Sequence, residues 1–276
     1  MPDDTAIWLK APVEPPALDE EAFGLVQRVY ASPDEGRPCL AAAFRVPGRL
    51  AGMYGGRITG AIQIVAVDAR SGEVHYREAE PRTGIPLVPR SPEGLMLPSA
   101  VSGSFGVDLA GHLDLPPERR RYHVFLWLDE MVSPVAVVET PGADPEVEAG
   151  VDTPAASPFT LARVPPRTNA RGEAQVRLAA ARAEDGIRIE GFAHLPRPVD
   201  RDEPAPLVVL GLCDATHRLG GAMEPVRASL EEAITWRFEI GVEHLIPARA
   251  EPRRLHVVAL AFGVLSPVLS VDLAPR

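Results

Sequence analysis

The stretch RYHVFLWLDEMVSPVAVVE, residues 121–139, returns without a gap as RLHVVALAFGVLSPVLSVD, residues 254–272. Seven of the 19 positions are identical: Arg, His and Val at the start, the triplet Ser-Pro-Val, and a later Val. The likeness continues upstream in the same order. FGVDLAGHL (105–113) matches FEIGVEHLI (238–246), and AIQIVAVDARSG (61–72) matches LVVLGLCDATHR (207–218). CLAAAFRVP (39–47) matches IEGFAHLP (189–196), and GLVQRVYASPDEG (24–36) matches AQVRLAAARAEDG (174–186). Fixed order with drifting spacing is the mark of a duplicated domain with altered loops.

Each matched piece reads as a strand: short, rich in Val, Ile, Leu and aromatics, and bounded by Gly, Pro, Asp or Ser. AIQIVAV and HVFLWL are near-continuous apolar runs, as strands buried on both faces are. GEVHYREAE (72–80) alternates, as a strand with one wet face does. Seven strands are expected in the first copy, near 24–31, 38–46, 61–68, 73–79, 102–109, 121–129 and 134–139. The fold class expected is all-β: tandem duplicated immunoglobulin-like antiparallel β-sandwiches of about seven strands each, with little helix. The Cys…Trp…Cys spacing of true immunoglobulin domains is missing. Single helical turns are expected within 107–115 and 241–248, and another over 227–234, where Ser229 and Glu232 have capping-box spacing.

Four segments follow. Residues 1–22 read as a tail rich in Pro and acids, in which Trp8 and Leu9 stand out as an anchor for the protein's own surface or a partner. Residues 23–139 are the first sandwich, 140–172 a Pro- and Ala-rich linker, and 173–276 the second sandwich. A linker of that composition is extended and semi-stiff. FTLARV inside it is expected to dock on one or the other sandwich.

Composition sets bounds on function. Hydrophobic residues make up 46% and charged residues 24% of the 276 positions, as in ordinary globular proteins. The 30 prolines disfavour a helical fold, because proline lacks an N–H and clashes with the preceding turn. A net charge of −10 gives no general attraction to nucleic acid or anionic lipid. Lys10 is the only lysine and Asn169 the only asparagine, a bias that reads as a GC-rich bacterial genome. The start, MPDDTAIWLKAP, does not read as a signal peptide, and no apolar run is long enough to span a bilayer. With only Cys39 and Cys213, the expectation is a cytoplasmic protein with two unpaired thiols.

Motif chemistry is scarce. There is no CxxC, no HExxH, no P-loop and no GxSxG elbow, and no cofactor is expected. The repeated His123 and His256 read as strand-end hydrogen-bonders, the alternative being equivalent ligands or bases in two sites. Asp68 and Asp214 each close a strand and read as turn formers. PERRRYH (117–123) reads as a solvated turn with local ion pairs.

In a duplicated scaffold the shared residues serve folding and the divergent loops are free for function. Two loops of the first copy diverge. GRLAGMYGGRITG (48–60) is glycine-rich, and RTGIPLVPRSPEGLMLPSA (82–100) is long and carries Ile85, Leu87, Val88, Leu95 and Met96. Strand parity puts the loops after the second, fourth and sixth strands at one end of the sandwich. Met53, Tyr54 and Arg57 are thereby expected beside Leu87, Arg90 and Met96, and beside Asp129 and Glu130. Exposed Leu and Met mark protein contacts. The expectation is a non-catalytic binding, accessory or assembly protein that meets another protein or itself, with a small-molecule ligand as the second choice for that face. The alternative is an enzyme of unrecognised type, with its site in this loop cluster or in the inter-domain cleft. Carbohydrate binding is weaker still, since two of the three tryptophans lie on core strands.

Overall fold

The computed structural model describes residues 16–19, 22–32, 36–54, 57–80, 99–143, 157–164, 174–184, 186–195, 204–214, 218–227 and 234–273. Among them the chain divides into two compact units, one within residues 1–67 and 74–145, the other within 68–73 and 146–276.

Among the described residues the first unit has eight strands: β1 (Gly24–Ala31), β2 (Pro38–Pro47), β3 (Gln63–Asp68), β4 (Val74–Glu78), β5 (Ala100–Asp108), β6 (Arg121–Leu128), β7 (Met131–Val132) and β8 (Ala136–Glu139). They form two antiparallel sheets, one of order β1-β2-β5, the other β4-β3-β6-β7 with β8 also on β6. Alternation decides what lies between the sheets. Leu40, Ala42, Phe44 and Val46 of β2 meet Ile64 and Ala66 of β3 and Tyr122, Val124, Leu126 and Leu128 of β6 in one buried cluster. The opposite parity of β3 and β6, including Val65, Phe125 and Trp127, is also buried. Burial on both faces is why these strands are written as unbroken apolar runs.

The second unit begins with β9 (Phe159–Val164) and repeats the eight-strand series as β10 (Gln175–Ala183), β11 (Gly186–Leu195), β12 (Pro204–Cys213), β13 (Leu219–Arg227), β14 (Ile234–Gly241), β15 (Arg254–Ala261), β16 (Val264–Leu265) and β17 (Leu269–Asp272). Its sheets are β10-β11-β14-β9 and β13-β12-β15-β16, with β17 also on β15. Element for element, β10 to β17 follow β1 to β8. The protein is thus a tandem pair of antiparallel β-sandwiches.

The Ser-Pro-Val triplet is explained by the last strands. β6 pairs with β7 and then β8, and the two are separated by a break that includes a proline, which cannot donate to a ladder. Ser133 bridges the break: its N–H donates to Leu126 O (3.0 Å), its Oγ accepts from Leu126 N (2.9 Å), and its hydroxyl donates to Pro134 O (3.1 Å). Ser266 does the same on Ala259, with 2.8, 2.9 and 2.9 Å for the equivalent bonds. A kinked edge in each copy needs a buried hydroxyl at this point, so the phrase is spelled twice.

Among the described residues helix is confined to short pieces. Asp108 caps α2 (Leu109–His112) through Oδ1, accepting from Ala110 N at 3.1 Å and Gly111 N at 3.3 Å. A 3-10 turn at Val242–Leu245 holds the matching place in the second unit. One helix was not expected: α1 (Gly48–Met53) forms inside the glycine-rich loop after β2, with Ala51 buried and Leu50 packed on the core. β9 lies within the stretch read as linker, and its Phe159 and Leu161 pack against the second core while Thr160 and Ala162 face out. Most of the helical turn expected over 227–234 lies outside the described residues; Arg227 ends β13 and Ile234 begins β14.

Candidate functional site

Three loops leave the first unit at the end where β2, β4 and β6 finish. The first is built by α1. Leu50 and Ala51 turn inward, which turns Met53 out to 76% exposure, the highest among the exposed large hydrophobic residues described. The chain then closes through Arg57 N to Tyr54 O at 3.1 Å, and Ile58, Ala61 and Ile62 return it to the core.

Tyr54 is half-buried on the core, and its hydroxyl donates to Asp129 Oδ1 at 2.7 Å. This bond ties the loop after β2 to the turn after β6. Asp129 has φ +47°, a conformation that Asp tolerates better than most residues. Its carbonyl accepts from Trp127 Nε1 at 2.9 Å. Glu130 beside it is exposed, and Arg57 is half-buried.

Leu87, Arg90 and Met96 lie outside the described residues. The residues that bracket their loop are placed, however, and both sit on the first loop. Glu80 N donates to Thr59 O at 3.3 Å, and the Thr59 hydroxyl donates to the Glu80 carboxylate. On the far side Ser99 O accepts from Gly48 N at 3.0 Å. The structure therefore brings Tyr54 and Asp129 together and ties Glu80 and Ser99 to the loop after β2. Sequence reasoning did not single out Thr59, Glu80 or Trp127. Trp127 was legible only as a core residue, and no spacing rule links Thr59 to Glu80.

The other candidates resolve into scaffold. Asp68 Oδ1 accepts from Arg70 N (2.8 Å) and Ser71 N (2.7 Å), an Asx turn. Asp214 Oδ1 accepts from Arg253 N at 3.2 Å. The two histidines are not equivalent. His256 is buried with Nδ1 2.9 Å from Ser270 Oγ on the paired strand, whereas His123 faces Val137 in register. In the basic turn, Arg120 pairs with Glu118 at 2.6 Å. Neither Cys39 nor Cys213 is in a disulfide. Burial pushes the Cys39 thiol up, Asp108 adds to this, and Arg37 opposes it only in part. An activated cysteine nucleophile needs the opposite shift. Among the described residues no group of three His, Cys, Asp or Glu is placed to hold a metal ion, and no helix is long and apolar enough to cross a membrane.

The second unit has a polar recess of about 170 Å³ lined by Thr160, Gly186, Arg188, Glu239, Glu243 and His244. It is smaller than the ~300–1,000 Å³ of typical ligand sites. Its main charges are spent on each other, Arg188 with Glu239 across β11 and β14.

No family model and no curated protein matches this chain. A structural comparison finds similarity to the Fcho1 Mu homology domain of Danio rerio with bound Eps15 peptide, at 12% identity over 91% of this chain and 89% of that one. Its TM-score is 0.14, too low to carry an argument about fold or function.

Proposed function

We propose that the protein is a non-catalytic binding, accessory or assembly module of the cytoplasm, and that the loop end of its first unit is the working face. The strand order β1-β2-β5 against β4-β3-β6-β7 supports reading each unit as immunoglobulin-like, an architecture that presents loops at its ends. The observation that carries the proposal is the gathering of divergent loops at one end. Tyr54–Asp129, Gly48–Ser99 and Thr59–Glu80 tie them together around an outward-facing Met53. An exposed flexible apolar side chain on a braced loop suits a protein contact. The partner is another protein or a second copy of the chain, with no nucleic acid, membrane or cofactor involved; a small-molecule ligand is the lesser use of the same face. The enzyme alternative rests on the Tyr54–Asp129 pair alone.

The test replaces 84–98 by a short Gly-Ser loop and combines it with Met53→Asp, then measures mass by light scattering and partner capture by pull-down. Lost self-association or a lost partner, in a protein that still unfolds cooperatively, is the expected result. Unchanged assembly and unchanged partners would sink the proposal.

A further inference from the structure

The sheets β1-β2-β5 and β10-β11-β14-β9 can be compared on the face turned away from each core. In the second unit alternation puts Val176, Ile189, Ala193 and Phe238 inside. The residues between them point outward, and register lines them up in rows. One row runs Arg177, Phe192, Arg237, Ala162 across β10, β11, β14 and β9. Its counterpart in the first unit is Val26, Ala43, Ser104 across β1, β2 and β5. The equivalence follows from the neighbouring inward pairs, Phe105 opposite Ala42 and Phe238 opposite Gly191. Inside, both copies keep apolar residues. Outside, a neutral row in one copy is two guanidinium groups around a phenyl ring in the other.

The ring does not serve the core. Phe192 is half-buried on the outward side, while Ala193 beside it packs inside. The adjoining row carries Glu190 opposite Glu239, like charges that repel across a strand pair. Each is matched diagonally, Glu190 to Arg237 at 3.4 Å and Glu239 to Arg188. The first of these pairs is open to solvent, the Arg237 side chain being 69% exposed, so it contributes little and exchanges readily. Arg177 is exposed, and among the described residues it meets no carboxylate. The face therefore sets Arg177, Arg188 and Arg237 against Glu190 and Glu239, a net +1 on a chain of net −10.

We propose that Arg177, Phe192 and Arg237 form a second contact surface, on the second unit, for a protein segment that presents carboxylates on either side of an apolar side chain. Arginine and aromatic residues are the types enriched at the centres of protein interfaces. Each guanidinium can grip a carboxylate through two parallel N–H bonds, and the ring between them takes the apolar group. Single-stranded nucleic acid also combines negative charge with groups that stack on aromatic rings. Glu190 and Glu239 in the adjoining row repel a continuous phosphate backbone, which favours a protein segment. This surface shares no residue with the loop end of the first unit.

Random dodecapeptides displayed on phage and selected on the full chain test this, with the Arg177→Glu, Phe192→Ser variant present in solution as competitor. Selected peptides should carry Asp or Glu on both sides of an apolar residue. Their affinity, read by fluorescence anisotropy, should fall at least about fivefold for Arg177→Gln and for Phe192→Ala, and should weaken with added salt. Glu190→Gln, which releases Arg237, should tighten it. Replacement of 84–98 by a Gly-Ser loop should leave it unchanged, which separates this surface from that of the first unit. Failure to select any peptide, selection without acidic bias, or binding that survives both Arg177→Gln and Phe192→Ala overturns the proposal. A single-stranded oligothymidylate that binds more tightly than every selected peptide, and loses binding in Arg177→Gln, assigns the row to nucleic acid and overturns it too.

Discussion

The two units share their strand series and several scaffold bonds, and they carry different side chains at one end. Ser133 and Ser266 bridge the same break in the last strand, and Arg254 pairs with Asp272 where Arg121 faces Glu139 in register. The turns after β6 and β15 also share a backbone, with φ +47° at Asp129 and +54° at Phe262. Their chemistry differs. Asp129 takes a hydrogen bond from Tyr54, while Phe262 packs against its own core. Duplication preserved what the fold needs and released what it does not. That difference is what the proposed working face rests on.

The largest expected effect tests how the two cores close. Phe238 lies over Gly191, where an added Cβ would come within 2.1 Å of the ring, and the matching pair in the first unit is Phe105 opposite Ala42. Phe238→Ala should cost about 3–5 kcal/mol, because glycine has no side chain to fill the void. Phe105→Ala should cost less, since the Ala42 methyl already occupies part of the space. Urea unfolding in which Phe105→Ala costs as much as Phe238→Ala would break the comparison.

Next is the shared serine. Ser133→Ala and Ser266→Ala each leave a buried backbone N–H, of Leu126 or Ala259, without its acceptor. A loss of about 1–3 kcal/mol is expected for each. Near-equal losses confirm that the repeated triplet is scaffold; a loss confined to one copy would mean that only one of them is.

A smaller effect is expected where the copies part. Tyr54→Phe removes a partly buried bond and should cost about 0.5–1.5 kcal/mol. A double-mutant cycle with Asp129→Asn should show coupling. Zero coupling would separate the two loops energetically and weaken the proposed face.

How much of this was legible follows from how local each signal is. The strands were, because period-2 alternation and unbroken apolar runs report burial directly: β3 and β6 are buried along nearly their whole length. The meeting of Tyr54 with Asp129 was legible through strand parity, since direction alternates along an antiparallel chain. α1 was not, because three glycines between 52 and 56 argue for a loop, and only packing of Leu50 and Ala51 on the core makes six residues helical. β9 was legible only as a docking segment within the linker; neither its strand nor its sheet was, because an edge strand's partner is a long-range fact. The role of the Ser-Pro pair was also hidden: it depends on which strand lies opposite the break.

The smallest effect concerns pH, and it again compares the copies. His112 closes α2 where the second unit has the fully buried Leu245. Its Nε2 lies 2.9 Å from Glu78 O, a contact that a neutral ring makes by donating. Burial holds its pKa below the ordinary 6.5; the Glu78 carbonyl opposes this, Arg77 adds to it, and Asp114 and Asp108 oppose it more weakly. With the folded pKa depressed, the unfolded chain binds more protons between the two values. The stability contributed by the neutral ring is therefore complete above the unfolded value and is lost as pH falls toward the folded one. Wild-type stability should decline as pH drops below about 6.5, before the carboxylates begin to titrate. His112→Leu, which writes the second unit's residue into the first, should flatten that part of the curve. Urea midpoints at pH 7.5 and 5.5 for both proteins decide it. Parallel declines would show that the slope arises elsewhere and that the His112–Leu245 difference carries no pH dependence.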